Sequence, residues 1–191
     1  MHRASILVRP VRQADYPQWR PLWDGYNAFY GRLGATALAE EITAATWERF
    51  FAASEPVRAL VAESEGGVVG LTHYLFHRST TRLHDVCYLQ DLFTAEASRG
   101  RGIGRELIVA VYRAANEAGC SRVYWQTQTT NTAGRRLYDK LAEHKGFIVY
   151  AHELPAHPAS EVAIEGAIEG AIEGAIGAAV VANVQEVTQD S

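Results

Sequence analysis

Two short runs of residues carry most of the chemical potential of this chain. The first is Arg99-Gly100-Arg101-Gly102-Ile103-Gly104-Arg105. An apolar stripe with helical spacing starts at Ile103, so the run opens a helix. The first amides of a helix have no intrahelical partner and sit at the positive end of its dipole. Glycines let an anion approach those amides and the arginines add charge, so the run suits a pyrophosphate. A P-loop is excluded, because the chain has no Lys-Ser or Lys-Thr pair. A GxGxxG dinucleotide fingerprint also fails, since its third glycine would fall on Arg105 or Leu107. The second run is Gln90-Asp91, inside Val86 to Phe93. A carboxamide has no titratable proton, so Gln90 cannot act as a base. Strand alternation places Gln90 with Tyr88 and Leu92 on one face, and Asp91 with Leu89 and Phe93 on the other. Asp91 reads either as a catalytic carboxylate or as a structural one bonded to nearby amides. His73 and His77, four residues apart on a preceding strand, could relay a proton or simply be polar strand residues. No carboxylate or third histidine completes a metal-ligand spacing around them.

The elements that must hold these runs follow from periodicity and punctuation. Ile6 to Val8 reads as a short strand. Asp15-Tyr16-Pro17 starts a helix that carries Tyr16, Trp19, Trp23, Tyr26 and Tyr30 at helical spacing. A second helix is expected from about Leu38 to Ala53. Val57 to Ala62 and Val68 to Phe76 form a hairpin around Glu65-Gly66-Gly67. Val86 to Phe93 is a further strand. Gly102 to Ala118 is an amphipathic helix with Ile103, Leu107, Val111, Ala114 and Ala118 on one stripe. Val123 to Gln126 is a strand. Asn131 or Thr132 caps a helix running to about His144, which Lys145 and Gly146 end. Phe147 to Leu154 is a last strand. The order β-α-α-β-β-β-α-β-α-β implies an α/β domain with a mixed sheet covered by helices.

The spacing R-x-x-G-x-G, as Arg99, Gly102 and Gly104, lies between a strand and a helix. The segment YLQDLFTAEASRGRGIGREL resembles the coenzyme-A-binding segment of the GCN5-related (GNAT) acetyltransferases. VYWQTQTTNTAGRRLYDKLAEHKGFIVY is similar to the strand, helix and closing strand that follow it in that family. The resemblance spans roughly residues 4–154. It implies a central, mostly antiparallel mixed sheet and acetyl-CoA as co-substrate, with no metal. It also implies direct attack of an amine on the thioester in a ternary complex. By the same resemblance the cofactor lies against Leu92, Phe93, Thr94, the run Arg99 to Arg105, Asn131 and Tyr138. A backbone amide near Leu92 or Phe93 receives the developing oxyanion, and Tyr138 is the general acid. Read structurally, Tyr138 packs its ring and Asn131 is a helix cap. Catalytic candidates are therefore Tyr138, Gln90 and Asp91, and acceptor contacts are Tyr30, Trp47, His73 and Gln90. The branch it resembles contains polyamine, histone-tail and amino-acid acetyltransferases, and there a Glu often stands at the position of Gln90.

That substitution bears on the acceptor. A lysine-like amine has a pKa near ~10.4 and an α-amine near ~8, so deprotonation at pH 7 costs about 4 to 5 kcal/mol against roughly 1 to 1.5. A site without the usual Glu favours the α-amine of an amino acid or short peptide. Two other functions fit the sequence: a domain that binds acetyl-CoA without turnover, and a protein-lysine acetyltransferase.

The chain has 191 residues with a formal charge of -4. All 18 Lys and Arg precede residue 158, against 16 acids there, which leaves that stretch at +2; residues 158–191 hold the other six acids. A nearly neutral body excludes duplex nucleic acid as the main partner. There is no apolar run of membrane-span length. Two cysteines and no signal-like N-terminus suggest a reduced, cytoplasmic protein. The expected domain is 1–157, possible as a homodimer. Residues 158–191, with AIEG repeated at 163–174, form a mobile or marginally helical tail or a stripe that docks elsewhere.

Overall fold

The structure is a computed structural model and describes residues 5–154. The chain divides into Met1–His144 and Lys145–Ser191. In the first unit one sheet runs in the order β1-β2-β3-β4-β5. Its strands are β1 (Leu7–Pro10), β2 (Val57–Ser64), β3 (Gly67–His77), β4 (Val86–Thr94) and β5 (Val123–Tyr124). The first four are antiparallel, and β5 joins β4 in parallel. The helices are α1 (Tyr16–Phe29), α2 (Glu40–Arg49), α3 (Ile103–Glu117) and α4 (Thr132–Tyr138). This is the mixed, mostly antiparallel α/β sheet with flanking helices that the sequence implies.

The two faces of the sheet are covered by chemically different layers. On one face α1 buries Trp19, Leu22, Trp23 and Tyr26 against Phe50, Ala59 and Leu71. On the other, α3 buries Ile103, Leu107, Ile108, Val111 and Ala115 against Leu60, Ala62, Tyr74, Cys87 and Leu89. Burying an aliphatic side chain of this size contributes about 1.5–3 kcal/mol. Helix propensities among ordinary residues differ by at most ~0.7 kcal/mol. The apolar stripe, not propensity, therefore fixes α3 on the sheet. Asp15, just before α1, pins β1 to that helix through an ion pair with Arg9 at 2.6 Å.

Several boundaries differ from those expected. α2 is shorter at both ends, and β5 is two residues long rather than four. α4 stops at Tyr138 instead of about His144, closing with bonds from the Leu141 and Ala142 amides to the Tyr138 carbonyl. In the second unit, residues 147–154 form no strand, and Phe147, Ile148, Val149 and Tyr150 are exposed. Their β-forming composition acts only through pairing and burial, and neither is present for them. The repeat tail at 158–191 lies outside the described residues. Among the described residues no helix is long and apolar enough to cross a membrane.

Candidate active site

The site begins with a defect in the sheet. Along β3 and β4 the pairing runs His73 with Asp91 and then Tyr74 with Leu89, so Gln90 has no partner. This one-residue bulge inverts the alternation of β4. Leu89 and Leu92 both pack on the α3 side, while Phe93 packs on the α1 side. The expected grouping of Asp91 with Leu89, and of Gln90 with Tyr88 and Leu92, is thereby corrected. Asp91 instead shares the α1 face with Tyr88, and Gln90 is exposed at the bulge.

Asp91 is buried and held by a chain of polar side chains. The indole of Trp19 can only donate, and its Nε1 reaches His73 Nε2 at 3.0 Å. The ring hydrogen of His73 therefore sits on Nδ1, which donates to Asp91 Oδ2 at 2.9 Å. Both ring nitrogens are engaged and His73 is 2% exposed. It fixes the carboxylate and has no nitrogen left for a substrate, contrary to its expected place as an acceptor contact. The Tyr26 phenol, pushed up by burial and then by the neighbouring carboxylate, lies against Asp91. His77 is engaged separately, with Nε2 on the Tyr124 hydroxyl at 2.9 Å and Nδ1 on the Arg78 carbonyl.

Phenols line the rest of this face. Burial raises Tyr88, and the Gln126 amide donates to its hydroxyl at 2.7 Å. Tyr138 ends α4 with its ring 5.5 Å from that of Trp125. Burial pushes its phenol up to about 12, and the nearby Tyr30 phenol adds to the shift. The Tyr30 ring packs on that of Tyr26 with centres 5.1 Å apart, and its phenol bears electrostatically on both Tyr138 and Tyr88. Trp47 is not brought here; its ring contacts are Tyr16, Trp19, Phe50 and Phe51.

The parallel pairing of β4 with β5 ends at Tyr88 and Tyr124. Beyond it no strand among the described residues pairs with that side of β4. The Ala95 amide bonds Val69 in β3, so by alternation the Phe93 amide points the same way. The Leu92 amide consequently faces the unpaired side, where an oxyanion could meet it.

The glycine-arginine run leads from the end of β4 into α3. Gly102 adopts φ 91, a left-handed conformation that L side chains rarely take, and no side chain caps the first amides of α3. A Cβ on Gly104 would meet Leu137 at 3.2 Å, so the bare backbone is what lets α3 and α4 approach. The donor set of free amides on a helix terminus fits a pyrophosphate. Of the arginines, Arg99 donates to the Thr94 carbonyl and lies over the Phe93 ring. Arg101 is turned away, bonded to Ser64 and Glu65 on the β2–β3 turn. Arg105 is exposed beside Glu106. Ile103 is a core side chain and contributes only its amide. Asn131 caps α4, accepting from the Gly134 amide and donating to Thr127.

Two residues of this face escape a reading of the sequence alone. Tyr26 looks like a core aromatic, and Tyr88 is assigned to the wrong partners.

Comparison with known proteins shows the family and the fold. Residues 19–142 match the acetyltransferase (GNAT) family. A D-amino-acid N-acetyltransferase, HPA3 of Saccharomyces cerevisiae, is 33% identical over 147 residues, covering 76% of this chain and 89% of that protein. The uncharacterized N-acetyltransferase YhfO of Bacillus subtilis is 28% identical over 151 residues, covering 78% and 98%. Among solved structures, the aminoglycoside N-acetyltransferase AAC(6')-Iy in complex with CoA shares the fold, with a TM-score of 0.67 at 18% identity over 78% of this chain and 95% of that one. The chain belongs to the GNAT acetyltransferase family and is an N-acetyltransferase.

Proposed function

We propose that the protein acetylates the α-amine of a small molecule, with acetyl-CoA as donor and Asp91 as the group that draws in and deprotonates the amine. The observation that carries this reading is the bulge at Gln90, which sets Tyr88 on the same face as the Asp91 carboxylate, beside Tyr26 and Tyr30. A C–N bond forms as the C–S bond of the thioester breaks; the amine loses one proton and the departing thiolate gains one. Asp91 takes the first proton. Tyr138, whose phenol stays protonated through neutral pH, supplies the second. The Leu92 amide holds the carbonyl oxygen as charge develops on it. The amides of Ile103, Gly104 and Arg105 hold the pyrophosphate of the donor. A single carboxylate suits an α-amine, whose deprotonation costs only about 1 to 1.5 kcal/mol at pH 7. The yeast relative, a D-amino-acid N-acetyltransferase, supports the same class of acceptor.

The test is Asp91→Asn, which keeps an oxygen for His73 Nδ1 to bond while removing the base. Its kcat/KM for the amine is expected to fall by about 10²- to 10⁴-fold, with acetyl-CoA binding by calorimetry unchanged within about two-fold. A variant as fast as the wild type would remove Asp91 from the mechanism.

A further inference from the structure

One strong cation near the acceptor face has no role in the chemistry above. The turn after α1 places Gly31 at φ 79, with the Gly31 amide on the Ala28 carbonyl and the Arg32 amide on the Asn27 carbonyl. This pairing is a Schellman turn, and its left-handed residue is the reason for glycine there. It folds Arg32 back over the last turn of α1. The guanidinium carbon then lies 5.8 Å from the Tyr26 ring centre and 5.6 Å from that of Tyr30. Arg32 Nε donates to Asn27 Oδ1 at 2.7 Å, and Asn27, itself buried, is fixed by donating to the Trp23 carbonyl. Turn, rings and amide therefore hold the side chain in one place. No acid among the described residues forms an ion pair with it.

Tyr26 separates two opposite charges. Its hydroxyl end lies against Asp91, and its ring lies beneath Arg32. A zwitterion matches that pair of ends: an amine for Asp91 and, one carbon away, a carboxylate for the fork of the guanidinium. A polyamine or an aminoglycoside would bring further positive charge toward Arg32. A peptide N-terminus has no carboxylate next to its amine.

We propose that Arg32 binds the carboxylate of the acceptor, so that the substrate is a free amino acid. This rests on the α-amine reading of the same site and narrows it.

The experiment compares a free amino acid with its amide, in both enantiomers, on the wild type and on Arg32→Gln. The wild type is expected to prefer the acid by about ten- to hundred-fold in kcat/KM, the range of a hydrogen bond to a charged group. Arg32→Gln is expected to lose that preference through KM, with kcat for the acid changed much less. Arg32→Lys keeps the charge without the fork and is expected to keep part of the preference; its melting temperature and that of Arg32→Gln show whether each is folded. A wild type that accepts the amide as well as the acid, or a folded Arg32→Gln that still discriminates, overturns the proposal. If no amine is acetylated, the α-amine reading fails by itself. Calorimetric titration with the N-acetyl amino acid and its amide then still reads Arg32: binding of the acid alone, lost in Arg32→Gln, supports it, and equal binding overturns it.

Discussion

Tyr138 shows at the scale of one residue how burial sets a chemical role. Its ring packs beside Trp125, and among the described residues its hydroxyl has no protein partner. Burial disfavours the phenolate and raises the phenol to about 12. The proton-donating form is the neutral one, so it is full below that value and is lost only as pH rises through it. Tyr138→Phe is expected to lower kcat by about 10²-fold or more while leaving the Kd for acetyl-CoA unchanged. In the wild type, kcat is expected to show no descending limb up to about pH 10, well below the raised phenol pKa. A fall with an apparent pKa near neutrality, or an active Tyr138→Phe, would take the proton donation away from this residue. The family resemblance identifies Tyr138 from its place in the sequence. What the sequence hides is its environment, because Tyr30 follows α1, far from it in the chain, and the packing on Trp125 depends on how the loop after β5 folds.

At the scale of elements, the legible parts are those whose signals are local. The aromatic spacing of α1, the hairpin turn at Glu65 and Gly66, and the apolar stripe of α3 all act within one element or between neighbours. The bulge at Gln90 is different. It is a matter of register between β3 and β4, and no glycine marks it. Strict alternation consequently misplaces Tyr88 and Leu89 relative to Asp91, while its placing of Asp91 with Phe93 and opposite Leu92 holds. The early end of α4 and the missing strand at 147–154 have a similar origin, since both depend on partners that local composition does not specify. The loop before α3 offers an element-level test. Gly102→Ala places a side chain at φ 91, a strain of about 1–2 kcal/mol. The expected result is a loss of that size in urea unfolding, together with weaker acetyl-CoA binding, because the first amides of α3 move. Unchanged binding with the stability loss present would mean that those amides do not hold the donor.

For the whole molecule, the two faces of the sheet divide the labour. The α3 side supplies a plain aliphatic core and the uncapped helix terminus proposed to hold the donor. The α1 side supplies aromatic rings and the polar chain from Trp19 through His73 to Asp91. The split between β4 and β5 joins the sides, so an amine held on one can meet a thioester held on the other. The balance of charge in the body, 18 basic against 16 acidic residues before position 158, gives no broad acidic field to gather polycations. On the proposed function, selectivity rests on the few groups around Asp91. The most direct measurement is the rate of thiol release from acetyl-CoA across a panel of amino acids, polyamines, aminoglycosides and histone-tail peptides. The expected result is a kcat/KM for amino acids at least about ten-fold above that for any polyamine, in keeping with the gap in deprotonation cost. A polyamine preferred by ten-fold or more, on the same scale, would contradict the assignment of an α-amine acceptor.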